Sequence, residues 1–200
     1  MKDHLHTMTS VLHVSTEMDD PITPISPHHT APDLPWLNAL PAEHFTATLA
    51  DVFEHSPWVA ERVTGARPFQ NVAALHHAMC AAVRQASAQE QMALLRAHPE
   101  LAGKQAQAGD LTAASAREQS RAGLNALSTE EMARITALNA AYMQRHAFPF
   151  ILCVGQHTKQ SLFAEFERRA HNPSAIEIPE ALSQVEAIAR LRLDAMFAAT

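Results

Sequence analysis

Cysteine, glycine and long apolar runs are scarce in this chain of 200 residues. Its two cysteines, Cys80 and Cys153, stand in apolar surroundings and cannot supply the framework of bridges that stabilises small secreted domains. We interpret them as buried free thiols in a reducing compartment. The 5 glycines form no glycine-rich loop of the kind that binds phosphate groups.

Membrane-spanning and basic segments are also missing. No apolar run approaches the roughly 20 residues that a membrane-spanning helix needs. The first residues, MKDHLHTMTSVLHVSTEMDD, lack the basic-then-apolar order of a signal peptide. The 15 Lys and Arg against 21 Asp and Glu give a net charge of -6, without a long basic run. We therefore expect a cytoplasmic protein with neither a membrane nor a nucleic acid as its partner.

Histidine is abundant, with 13 in the chain, but HExxH and CxxC spacings are absent, so we expect no metal site. A His-rich metal-binding protein stays an alternative that ligand spacing does not support. Residues 1–35 differ in composition from the rest of the chain, and five prolines from Pro21 onward break any periodic pattern there. Such a polar segment buries too little apolar surface to offset the entropy of ordering, so we predict a flexible and dispensable tail.

From Trp36 onward, apolar residues recur at helical spacing, and 47% hydrophobic residues suit one domain with a sizeable core. Capping boxes at Ser87 and Ser128 mark two helix starts, and Ser56-Pro57 marks a third. The apolar stripes are Phe45/Leu49/Val52/Phe53, Val72/Leu75/Met79/Val83, Met132/Ile135/Leu138/Tyr142, Leu162/Phe163/Phe166 and, from about Ile178 to Phe197, Leu182/Val185/Ile188/Leu193. The prediction is an all-α fold, in which residues 36–200 form a single compact domain of about eight helices.

The most apolar stretch, FPFILCV at 148–154, could by composition be a buried strand. One strand without a partner cannot make a sheet. We therefore predict an extended, buried connector between helices.

A candidate site centres on His98, which precedes Pro99 and should stand at a helix end, since proline disfavours helix in the residue before it. On the next helix, Ser115, Glu118 and Gln119 are spaced i, i+3 and i+4 and share one face. An imidazole facing a carboxylate, an amide and a hydroxyl would suit proton transfer. By spacing alone, a capping or surface histidine is the commoner interpretation.

Three segments in a fixed order carry a family resemblance: HPELAGK at 98–104, SAREQSRAGL at 115–124 and FPF at 148–150. In these segments the chain resembles the OHCU decarboxylases, over about residues 37–197. Enzymes of that family act in uric acid degradation on 2-oxo-4-hydroxy-4-carboxy-5-ureidoimidazoline (OHCU). The resemblance implies decarboxylation to (S)-allantoin without a cofactor, on a small anionic substrate, by a homodimer.

The resemblance also assigns roles to residues. It makes His98 the catalytic residue, which we predict to be the proton donor, and places Glu118 where it orients the imidazole or binds substrate. The other substrate-binding residues that we predict are Pro99, Ser115, Ala116, Arg117, Gln119, Phe150, Ile151, Leu152, Cys153, Val154 and Arg192.

The choice of Arg192 rests on the need for a cation opposite the substrate carboxylate. Arg190 and Arg192 stand two apart on the last helix, so they face different sides, and we favour Arg192. The alternative is that both are surface charges on an amphipathic helix. The chain departs from the family pattern at Gly155-Gln156, where many relatives carry a basic residue. If that position holds substrate, we expect affinity or substrate range to differ here.

A second hypothesis from another class is a noncatalytic helical module that binds a purine-pathway metabolite or partner in the same pocket. The joint presence of His98, Ser115 and Glu118 favours the enzyme, because a binding module would not need all three.

Overall fold

A computed structural model describes residues 33–198, so the predicted tail lies, except for its last three residues, outside the described part of the chain. Within residues 33–198 there are ten α-helices, two short 3₁₀ helices and no strand, which confirms the all-α prediction. The α-helices are α1 (Leu34–Ala39), α2 (Ala42–Leu49), α3 (Trp58–Val63), α4 (Val72–Arg84), α5 (Ala88–Arg96), α6 (Lys104–Ala108), α7 (Ala113–Arg121), α8 (Thr129–His146), α9 (Lys159–Ala170) and α10 (Ser174–Phe197). The 3₁₀ helices span Thr64–Ala66 and Val154–Gln156.

Helix starts follow the capping chemistry of the sequence. Ser87 and Ser128 each form the predicted capping box, with Glu90 and Glu131 respectively. The α3 start differs slightly, because Pro57 rather than Ser56 is the N-cap residue and no side chain caps it. Local sequence therefore sets most of the helix boundaries.

Two short helices, α1 and α6, were not predicted, and they account for ten helices where about eight were expected. The α1 helix begins before Trp36, because the Asp33 carboxylate accepts a hydrogen bond from the Trp36 amide and caps it. The α6 helix fills the connector after His98 and ends at Gly109, whose left-handed φ of 79° suits glycine. Both are too short to show an apolar period.

Two predicted helix boundaries were wrong. The apolar stripe that starts at Phe45 is only partly helical, because α2 ends at Leu49. Its last two residues, Val52 and Phe53, are buried in the turn that follows. The α10 helix begins at Ser174 and not near Ile178. Its first turn carries Glu177, a fully buried carboxylate at a position where an apolar period predicts a hydrophobic residue.

The helices enclose one continuous apolar core. Helix α10 packs against α4, α5 and α8, and α9 packs against α8. Buried side chains of α10 include Val185, Ile188 and Leu193, which are among the predicted inward positions of this helix. None of the helices in the described residues combines the length and apolarity that crossing a membrane requires.

The segment 148–154 is buried and forms no strand pairing, as predicted, although its last residue, Val154, begins the second 3₁₀ helix. Arg169, itself fully buried, donates from Nη1 to the Ile151 carbonyl at 2.8 Å and pairs with the equally buried Glu177. The Cys153 amide donates to the Gln184 side chain at 3.0 Å. These bonds satisfy a buried backbone that has no ladder partner, and they hold one wall of the pocket described next.

Candidate active site

A pocket opens between α7, the loop after α5, the buried segment 148–154 and α10. Its lining residues are His98, Pro99, Leu101, Ser115, Glu118, Gln119, Phe150, Ile151, Leu152, Val154, Ile188 and Arg192. The structure thus brings together residues from all three family segments and from the last helix. The space between the walls is narrow, about 30 Å³, but the pocket adjoins a groove of about 410 Å³ that shares Glu118 and Arg192 with it. A ring-shaped ligand therefore has to occupy part of that groove or displace side chains.

His98 lies two residues beyond the end of α5 and is only 7% exposed. Its Nδ1 lies 2.9 Å from the Leu94 carbonyl oxygen. A carbonyl can only accept, so Nδ1 carries the proton and the lone pair of the neutral ring is on Nε2. Burial lowers the pKa of His98 to about 4, and Arg192 adds to this, although Glu54 and Glu118 oppose it. The free protein therefore holds a neutral imidazole.

Arg192 enters the pocket from α10 with a side chain that is 8% exposed. Its Nε and Nη2 donate to the two oxygens of Glu118 at 2.8 and 2.9 Å, a bidentate pair. Nη2 also donates to Ser115 Oγ at 3.1 Å. By contrast, Arg190 pairs with Asp194 on the outside of the helix. Of the two candidate cations, the structure places Arg192 at the pocket.

Glu54, which the sequence reasoning missed, is the second carboxylate on Arg192. Its Oε2 lies 2.7 Å from Arg192 Nη1, and it accepts hydrogen bonds from the hydroxyls of Thr112 and Ser115 at 2.8 and 3.0 Å. Burial pushes its pKa up, but Arg192 and the Thr112 hydroxyl outweigh that effect and keep the pKa below its ordinary value. The available signal was a carboxylate directly after the apolar pair Val52-Phe53.

Gln119 is buried, and its side-chain amide forms hydrogen bonds with the protein backbone. Its Oε1 accepts from the Ala102 amide at 2.9 Å, and its Nε2 donates to the Glu100 carbonyl at 3.4 Å. These bonds hold the loop after His98, in which Ala102 has a left-handed φ of 50°. If the Gln119 side chain also binds substrate, as predicted, it has to give up hydrogen bonds that hold this loop.

Three predicted substrate-binding residues do not line the pocket. Ala116 and Arg117 are exposed on α7, on the side away from the buried Ser115. Arg117 and the buried Cys153 border an adjoining groove instead. Within residues 33–198, no three His, Cys, Asp or Glu side chains converge to hold a metal ion.

Comparisons with a family model and with known protein sequences point to the same family. A family model described as OHCU decarboxylase matches residues 38–194. The 2-oxo-4-hydroxy-4-carboxy-5-ureidoimidazoline decarboxylase of Haloferax volcanii is 38% identical over 161 residues, which cover 80% of this chain and 94% of that protein.

Two solved structures resemble the fold. The structure of (S)-allantoin synthase matches with a TM-score of 0.66 and 29% identity over 82% of this chain and 53% of that one. An OHCU decarboxylase crystallised in the presence of (S)-allantoin matches with a TM-score of 0.61 and 19% identity, over 74% and 96% of the two chains. From the family match and the sequence identity together, the chain belongs to the OHCU decarboxylase family.

Proposed function

We propose that this protein catalyses the decarboxylation of OHCU to (S)-allantoin without a cofactor. The observation that carries the proposal is the convergence of His98, Glu118 and Arg192 on one pocket in a member of this family. The substrate supplies its own electron sink. The carbon that bears the carboxylate adjoins a C=N carbon, and the ring nitrogen accepts the electron pair that CO2 leaves behind.

Arg192 is our candidate for holding the substrate carboxylate, since a guanidinium binds a carboxylate through two parallel hydrogen bonds. The apolar side chains of Phe150, Leu152 and Ile188 border the same pocket. They exclude water from the reacting carbons, which strengthens the charge interactions inside. The contact with Arg192 and the packing of these apolar side chains together fix the orientation in which CO2 departs.

The pKa of His98 refines its proposed role as a proton donor. A neutral imidazole with its lone pair on Nε2 first acts as a base and takes the proton of the 4-hydroxyl group, whose oxygen becomes the ring carbonyl. The resulting imidazolium then gives that proton to one face of C5, the carbon that bears the ureido group. The ring nitrogen takes up the single proton that the overall reaction consumes. Delivery from one side sets the handedness of allantoin.

We also propose a cytoplasmic homodimer, in which residues 36–200 form the catalytic domain. Exposed Trp36 on α1 and exposed Ile176 on α10 support the dimer, because they are large apolar side chains that lie outside the groove beside the pocket. Exposed apolar side chains of this kind suit contact with a second copy of the chain. Analytical ultracentrifugation should show twice the chain mass of 21.9 kDa, and a monomer at all concentrations would remove this part of the proposal.

The test of the function is to generate OHCU from urate in situ and to follow allantoin by circular dichroism. The spontaneous reaction gives racemic allantoin, so the protein should produce both a faster reaction and a signal of one sign. Binding of allantoin without faster CO2 loss would instead support the noncatalytic binding module.

A further inference from the structure

The two carboxylates on Arg192 differ in how firmly they are held. The Glu54 side chain is 1% exposed and is bonded by Arg192, Thr112 and Ser115. The Glu118 side chain is 27% exposed, and the hydrogen bonds that it makes in the described structure come from Arg192. Glu54 is thus fixed by three side chains, whereas Glu118 depends on one and borders solvent.

The backbone next to Glu54 adopts an unusual conformation. His55, the next residue, is exposed and has a φ of 45°, in the left-handed region that non-glycine residues rarely adopt. This residue belongs to the loop between α2 and α3 from which Glu54 points inward.

We propose that Glu54 is a positioning residue that acts as the permanent counter-ion of Arg192, and that the substrate carboxylate replaces Glu118 on the opposite edge of the guanidinium. This inference rests on the proposed function, because it concerns how that function's anionic substrate is received. Glu54 contacts no reacting atom in this account. It acts through Arg192 and through Ser115, whose hydroxyl it also holds.

The geometry explains why exchange occurs at Glu118. Both nitrogens of the Nε–Nη2 edge of Arg192 are bonded to Glu118, which lines the pocket, whereas Nη1 is bonded to Glu54. A substrate carboxylate that binds this edge therefore has to displace Glu118. Glu118 can leave because water can solvate it, whereas Glu54 would be left buried and unpaired. Once displaced, the Glu118 carboxylate can accept hydrogen bonds from the ureido N–H groups of the substrate.

Two ring probes test the proposal by calorimetry: hydantoin-5-acetate, which carries a carboxylate, and neutral hydantoin. Wild-type protein should bind the anion more tightly. In Glu54→Gln, Arg192 loses its fixed charged partner, and we expect the affinity for the anion to fall about 10–100-fold. The affinity for hydantoin should change less than about twofold. A matched control is Glu186→Gln, which removes a carboxylate from Arg84 on the side of α10 that packs against α4 and should alter neither affinity.

Other outcomes overturn the proposal. Equal losses for both probes would make Glu54 a structural residue only, and unchanged or tighter binding of the anion would show that its charge merely repels the ligand. If Glu54→Gln does not fold, Glu54→Asp keeps the charge at a shorter reach and should show a smaller but selective loss for the anion. A selective loss of anion affinity in Glu54→Gln, together with a wild-type protein that does not accelerate CO2 loss, would refute the function and leave the role of Glu54 supported.

Discussion

Replacing Arg192 by alanine removes the cation on which two carboxylates depend. Breaking a buried pair by deleting one partner typically costs roughly 3–5 kcal/mol, because the other charge stays buried. Glu118 is 27% exposed and can be hydrated, so the cost falls mainly on Glu54, whose side chain is 1% exposed. We therefore expect Arg192→Ala to lower the free energy of unfolding by about 3 kcal/mol, near the lower end of that range.

The matched control is Arg190→Ala, two residues away on the same helix. Arg190 and Asp194 are 43% and 45% exposed, and such an i,i+4 pair contributes only about 0.3–0.5 kcal/mol. Urea unfolding measures both variants. Steady-state kinetics should show a higher KM for Arg192→Ala by about 10–100-fold, with little change for Arg190→Ala. Similar losses in the two variants, or a larger one at Arg190, would refute the assignment of the inward cation.

Other predictions follow from burial. Because the pKa of His98 is about 4 in the folded protein and near 6.5 in the unfolded chain, the unfolded chain binds the extra proton between these values. Stability should therefore fall by roughly 3 kcal/mol as the pH drops from 6.5 to 4, and urea unfolding of His98→Asn should show a flatter pH profile. Burial raises the pKa of Cys80 to about 12 and of Cys153 to about 11, so Ellman's reagent near pH 8 should react only as the protein unfolds. Arg169→Met leaves a fully buried carboxylate without its cation and should cost roughly 3–5 kcal/mol in thermal or urea unfolding.

Much of the fold could be predicted because its helices carry local signals. The capping boxes at Ser87 and Ser128 and the stripes on α4, α8 and α9 depend on neighbours within a few residues. The shared face of Ser115, Glu118 and Gln119 is likewise a matter of helical spacing, and its burial pattern in α7 agrees. That His98 faces this helix came from family resemblance, since nothing local requires it.

The features that could not be predicted from the sequence depend on tertiary contacts. Glu54 reaches the pocket from a turn that belongs to no helix, and it meets Ser115 across 61 positions of sequence. The amide of Gln119 serves the loop at Ala102, a use that spacing cannot reveal. Glu177 interrupts the apolar pattern of α10 although it is buried. Its burial could not be predicted locally, because its partner Arg169 lies on another helix. Buried polar groups are the common cause of these omissions, since pattern analysis assigns polar residues to the surface.

The most direct test of the central claim compares His98→Asn with wild type in a single turnover of OHCU, with allantoin followed by circular dichroism. Asparagine keeps polarity at the position but cannot shuttle the proton. A positioned acid–base group contributes about 10²–10⁴-fold, so turnover should fall by that factor, with weaker handedness of the product and nearly unchanged affinity for allantoin. A His98→Asn protein that retains the wild-type rate and full stereoselectivity would contradict the account and move the proton transfer to another residue.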